Sequence, residues 1–82
     1  MKREDLKRVI LDELTAIAPE IDAAALVEDK LLRNQVDLDS VDWLNFLVAL
    51  HGRLHIEIPD ADAAKLTTLD KLIAYCAAKL GA

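Results

Sequence analysis

Across 82 residues the chain holds only two glycines and two prolines, while alanine fills 13 positions, and this scarcity of helix breakers constrains it more than any motif. Gly and Pro disfavour a helix by about 1 and 3 kcal/mol relative to Ala, so helix is the least costly backbone over most of such a length. An all-α fold is expected, and the length allows one core, hence a single domain over residues 1–82. With 54% hydrophobic and 30% charged residues the composition excludes a disordered tail, and no run approaches the roughly 20 apolar residues of a membrane span. The single cysteine cannot close an internal disulfide, and Met1-Lys2-Arg3-Glu4-Asp5 lacks the apolar stretch of a signal peptide. The cytoplasm is the expected compartment.

Charge divides the chain unevenly. The formal total is −5, and the acidity sits between residues 34 and 64, where Arg53 alone stands against Asp37, Asp39, Asp42, Glu57, Asp60 and Asp62. An acidic surface repels phosphate backbones, which argues against nucleic acid and for a basic protein partner. Lys2, Arg3, Lys7 and Arg8 alternate with Glu4, Asp5, Asp12 and Glu13, which describes a solvated, ion-paired helix face.

Three periodic segments predict three main helices. Leu6, Val9, Ile10, Leu14 and Ile17 recur at three- and four-residue spacing, and Pro19 ends that run, giving a helix over about 3–17. The stretch from Pro19 to Asp39 shows no sustained period in Ile21, Leu26, Leu31, Leu32, Val36 and Leu38, and reads as a long pinned loop, with Asp22 placed to cap one short turn. A second helix starts at Asp39 or Ser40 and reaches about Leu54, a brief helical segment follows over Asp60 to Ala64, and Thr67 or Thr68 caps a last helix that stops at Gly81. The expected architecture is a four-helix bundle of three main helices and one short one, with a long loop between the first two.

At about 100° per residue, residues 40 to 54 separate into two apolar faces. Trp43, Phe46, Leu47, Leu50 and Leu54 make the arc expected to face the core; Val41, Leu44 and Val48 lie on the other side, as an exposed strip of the kind that marks docking surfaces or as a face wrapped by the bundle. Ser40 stands where that strip begins. A helix-start serine is ordinarily a cap, yet its hydroxyl also lies beside free N–H groups and the positive end of the helix, which suits a phosphate ester. It is poorly placed to act as a nucleophile by itself: His51 and His55 sit about 11 and 15 residues along, roughly 16 and 22 Å away, so no catalytic triad forms.

Asp39-Ser40-Val41-Asp42, the amphipathic helix after it, Ile58-Pro59-Asp60, Lys65-Leu66-Thr67-Thr68-Leu69 and Tyr75 together resemble the acyl carrier proteins. The ordered set, over about residues 37–76, carries the likeness; Asp-Ser alone would carry none. The resemblance implies that Ser40 bears a 4′-phosphopantetheine arm, attached through a phosphodiester by a phosphopantetheinyl transferase that draws it from coenzyme A. It implies a carrier and not an enzyme. It also implies that acyl-loading and acyl-processing enzymes with basic docking surfaces read Asp39, Val41, Asp42, Leu44 and Val48, and that Trp43, Phe46, Leu47 and Leu50 shape the sheath family members place around the acyl chain between helices. A monomer is expected.

The chain departs from the commonest members of that family after Asp42, where Asn45, His51, Gly52 and Arg53 replace a run of carboxylates. That points away from the usual enzymes of general fatty acid synthesis and towards a carrier dedicated to a fatty acid, polyketide or another specialised acyl pathway. Trp43 stands where a smaller residue is common, and reads either as a plain core filler or as a residue that limits or reshapes the acyl sheath. His51 and His55 have metal-gripping i, i+4 spacing but no third ligand beyond Glu57, so no metal is expected, and Cys76 falls on the apolar stripe of the last helix as an inert buried thiol. Two alternatives stay open: a carrier of aminoacyl or peptidyl groups, and an unmodified helical adaptor that binds a partner helix through Val41, Leu44 and Val48.

Overall fold

The first helix, α1 (Arg3–Ile17), buries Leu6, Val9, Ile10 and Leu14 on one stripe, as its periodicity dictates, and ends where Pro19 excludes further helix. The structure is a computed structural model that describes residues 2–81; Met1 and Ala82, the two ends of the expected domain, lie outside the described residues. The long helices α3 (Ser40–Leu54) and α5 (Leu69–Leu80) both pack against α1. Their buried residues, Phe46, Leu47, Leu50 and Leu54 from α3 and Leu69, Leu72, Ile73 and Cys76 from α5, join those of α1 in one core. The architecture is the all-α bundle that the sequence predicts. The apolar α5 interior also holds the Cys76 thiol above its ordinary value, because burial penalises the thiolate.

Between α1 and α3 the chain forms the expected pinned loop, and the pins are specific. Asp22 caps a 3₁₀ turn over Ala23–Ala25 by accepting from the Ala24 N–H at 3.1 Å. Gln35 folds its amide back onto the loop, accepting from the Val27 N–H at 2.7 Å and donating to the carbonyls of Val27 and Lys30 at 2.9 and 3.1 Å. The loop is sewn to the start of α5 by Leu32 N–H to the Thr67 carbonyl at 2.9 Å and Asp70 N–H to the Glu28 carbonyl at 3.0 Å, with an isolated bridge between Leu31 and Thr68. Within it lies a helical turn, α2 (Leu32–Gln35), that the sequence pattern does not announce. Four residues cannot express a period, and tertiary hydrogen bonds hold this turn in place of its own propensity.

The ends of the remaining helices follow local chemistry. Asp60–Ala63 forms α4 directly after Pro59, whose fixed φ suits the residue before a helix. Thr68 caps α5 by accepting from the Lys71 N–H, and Gly81 ends it in the left-handed conformation at φ 72°. His55 ends α3 in the same conformation at φ 55°, an unusual place for a residue with a Cβ. No helix among the described residues is long and apolar enough to cross a membrane.

Candidate functional site

Asp39, not Ser40, caps α3. Its backbone is extended and its carboxylate accepts from the Asp42 N–H at 2.8 Å, which leaves Ser40 as the first helical residue. The Ser40 side chain is thereby released from capping. It is exposed, and among the described residues no hydrogen bond engages its hydroxyl. The N–H groups of a first helical turn have no partner within the helix, so the hydroxyl lies beside uncommitted donors and the positive end of the helix dipole.

Asp39 and Ser40 form one lip of a groove of about 570 Å³. One wall comes from the long loop and α2, through Leu31, Leu32, Arg33, Val36 and Leu38; the other comes from Ala63 and Ala64 at the end of α4, with Leu66 and Thr67 beyond it. Trp43, one turn along α3 from Ser40, is half-buried and lines the groove between these walls. Its ring centroid lies 5.2 Å from that of Phe46, tilted by 36°. Phe46 and Leu50 are fully buried and Leu47 nearly so, and these three fill the core behind Trp43 without lining the groove. Of the four residues expected to shape an acyl sheath, Trp43 alone meets the space beside Ser40.

The second face of α3 is open. Val41, Leu44 and Val48 are exposed by 62%, 57% and 58%, values that apolar residues reach only where nothing in the fold covers them. Asp39 stands exposed and Asp42 partly so at the same end of the helix, placing acidic and apolar groups around Ser40. Asn45 and Gly52 are exposed as well, whereas Arg53 is engaged by Asp12 and Glu13 of α1 at 3.6 and 3.2 Å. His51 turns its Nδ1 to the Ile56 carbonyl and His55 occupies the left-handed helix end, so both imidazoles belong to the far end of α3. No group of three or more His, Cys, Asp or Glu among the described residues could hold a metal ion.

Sequence reasoning missed the groove walls. Ala63 and Ala64 carry no signal of their own. The α4 turn is fixed by Tyr75, whose hydroxyl donates to the Asp62 carboxylate at 2.8 Å and lies 3.2 Å from the Glu57 carbonyl. A tyrosine within an otherwise apolar helix stripe was the available clue, since a half-buried phenol needs a polar partner. Burial, reinforced by Asp62, pushes that phenol up to about 12.

A family model described as a phosphopantetheine attachment site matches residues 6–76. The chain belongs to the acyl carrier protein family. It is 32% identical over 72 residues to an acyl carrier protein of Campylobacter jejuni, covering 88% of this chain and 87% of that protein. It is also 32% identical over 75 residues to one from Lactobacillus acidophilus, with 92% of each covered, and 29% identical over 75 residues to one from Rubrobacter xylanophilus, with 92% and 91% covered. The family's prosthetic group is a covalently attached 4′-phosphopantetheine. The residues present suit such a group: an uncommitted serine hydroxyl stands on the lip of a mainly apolar groove, and the family match runs unbroken across both.

Proposed function

We propose that Ser40 bears the arm, and that the chain carries acyl groups as thioesters and presents them to partner enzymes. The observation that supports this most is the division of labour at the start of α3: Asp39 caps, and Ser40 is left exposed and unbonded. In attachment, the Ser40 Oγ forms a bond to phosphorus as the pyrophosphate P–O bond of coenzyme A breaks, with adenosine 3′,5′-bisphosphate as leaving group. The hydroxyl proton goes to a base of the transferase, since neither imidazole lies at this end of α3. When bound, the arm supplies a terminal thiol whose thioester keeps an acyl group activated. The chain's own residues contribute an address, a tether point and a sheltering groove, and no catalytic group.

The address is the open face of α3. Asp39 and Asp42 provide charge for basic docking surfaces on the phosphopantetheinyl transferase and the acyl-processing enzymes, and Val41, Leu44 and Val48 provide apolar contact. Charge of this kind speeds encounter and fixes register, which suits a carrier that must leave one enzyme for the next. With Arg53 tied to α1, and Asn45 and Gly52 exposed where carboxylates are usual in the family, we place the chain with a dedicated fatty acid, polyketide or other specialised acyl pathway. We also read it as one carrier domain over 1–82, acting as a monomer in the cytoplasm, where coenzyme A is at hand.

Intact mass spectrometry after incubation with coenzyme A and a broad-specificity phosphopantetheinyl transferase tests the proposal. Wild type is expected to gain one phosphopantetheine and Ser40→Ala none. An unchanged wild-type mass would overturn it and leave the exposed face of α3 as the surface of an unmodified adaptor.

A further inference from the structure

We infer that Trp43 is the floor of the cargo site: an acyl group borne at Ser40 lies in the surface groove against the indole and does not pass into the helical core. This rests on the reading of Ser40 as the attachment point. Residues three apart on a helix share a face, so the indole stands directly along α3 from the tether point, and it lines the groove between the loop wall and the α4 wall. Behind it the way inward is filled. Phe46 lies 5.2 Å away between ring centroids and is fully buried, and Leu50, Leu69, Leu72 and Ile73 beyond are 0–1% exposed. A chain entering the core would have to displace the indole, then Phe46, from a close-packed interior that yields only in discrete rearrangements.

The groove itself asks for no such displacement. Its loop wall carries Leu31 and Val36 opposite the small side chains of Ala63 and Ala64, which leave the space open, and Leu66 lies beyond the alanines on their side. A tethered acyl group is held near this apolar surface at high effective concentration, so even modest burial per methylene suffices to seat it. Shelter therefore saturates with chain length. A short or medium acyl group is covered, and the remainder of a longer one runs out into water, where partner enzymes reach it without extracting it from the bundle.

The test uses the intact chain loaded by the transferase from acetyl-, octanoyl- or hexadecanoyl-coenzyme A, with mass confirming one acylated arm on wild type and none on Ser40→Ala. Trp43 is the only tryptophan, so its emission reports the site without a label. Octanoyl loading is expected to shift that emission to the blue and to move the methyl resonances of Leu31, Val36 and Leu66. The resonances of Leu50 and Ile73 should stay in place, and hexadecanoyl should add nothing further. Cleavage of the thioester by hydroxylamine should slow equally for octanoyl and hexadecanoyl. In Trp43→Ala and in the better-packed Trp43→Leu, hexadecanoyl should reach Leu50 and its cleavage should slow several-fold beyond octanoyl. Shifts at Leu50 and Ile73 on hexadecanoyl loading of wild type would overturn the inference whatever the variants do. Absence of the arm on wild type would show in the mass first, and would mark the failure of the Ser40 reading itself.

Discussion

The carboxylate of Asp39 accepts the Asp42 N–H at 2.8 Å, so one acidic residue of the Asp39-Ser40-Val41-Asp42 run is committed to holding the helix that presents the serine. Charge and cap are therefore carried by one side chain. Asp39→Ala should cost about 1 kcal/mol of stability through the lost cap, and Asp39→Asn, whose amide oxygen still caps, only a few tenths. Both remove the charge. Urea denaturation separates the stability effects, while the rate of arm installation should fall in both variants, more steeply at low salt where the charge is least screened.

Glu28 of the long loop is held by two cations of α1, Arg3 and Lys7, the latter at 2.7 Å. The hydrogen bond from Arg3, followed by that from Lys7, pulls its carboxyl from an ordinary 4.5 down to about 2. Because the folded value lies below the unfolded one, the contribution is complete above about pH 4.5 and is lost as pH falls towards 2. With 31% of the Glu28 side chain exposed, solvent screening reduces it to about 1 kcal/mol. Glu28→Gln should lower stability by that amount at pH 7 and flatten its pH dependence between 4.5 and 2, as chemical denaturation at a series of pH values will show.

Tyr75 joins α5 to α4 through the Asp62 carboxylate. Its phenol is raised from an ordinary 10 to about 12, so its contribution is complete below about pH 10 and fades as pH climbs through 12. Tyr75→Phe should destabilise by about 1 kcal/mol, abolish that alkaline dependence and quicken amide exchange in α4 before any other helix. Ultraviolet titration of the single tyrosine should place its ionisation well above that of the unfolded chain.

Gly52 and His55 are conformational misfits at the end of α3. A Cβ added at Gly52 meets nothing within 4 Å, so Gly52→Ala should stabilise the fold by about 0.5–1 kcal/mol. His55 carries a Cβ at φ 55°, and His55→Gly should recover up to about 1 kcal/mol. Thermal denaturation will register both gains, and neither change should alter arm installation at the opposite end of the helix.

The three main helices were legible because each carries enough turns for its apolar stripe to repeat: Leu6 to Leu14, Phe46 to Leu54 and Leu69 to Cys76 are the buried stripes expected. Asp22 was legible as a cap because capping is local chemistry, whereas the sequence left Asp39 or Ser40 and Thr67 or Thr68 open at the next two long helices, and the structure gives the caps to Asp39 and Thr68. Two features escaped. The α2 turn owes its existence to Leu32 N–H meeting Thr67 across 35 residues of sequence, a contact no local window contains. The groove escaped because a concavity is defined by what faces it: Trp43 on the wheel belongs to the core arc, and only the placement of Ala63 and Ala64 turns it into an open surface. The second stripe of α3, by contrast, was present in the wheel as either a docking strip or a face wrapped by the bundle, and the exposure of Val41, Leu44 and Val48 decides for the open face.

The two sides of the groove are fastened differently. The loop side is stitched into the start of α5 by backbone bonds at Thr67 and Asp70, whereas the α4 side is a single turn moored chiefly by one phenol. Any widening of the groove should therefore fall on the α4 bank, which would leave undisturbed the helix that visitors read.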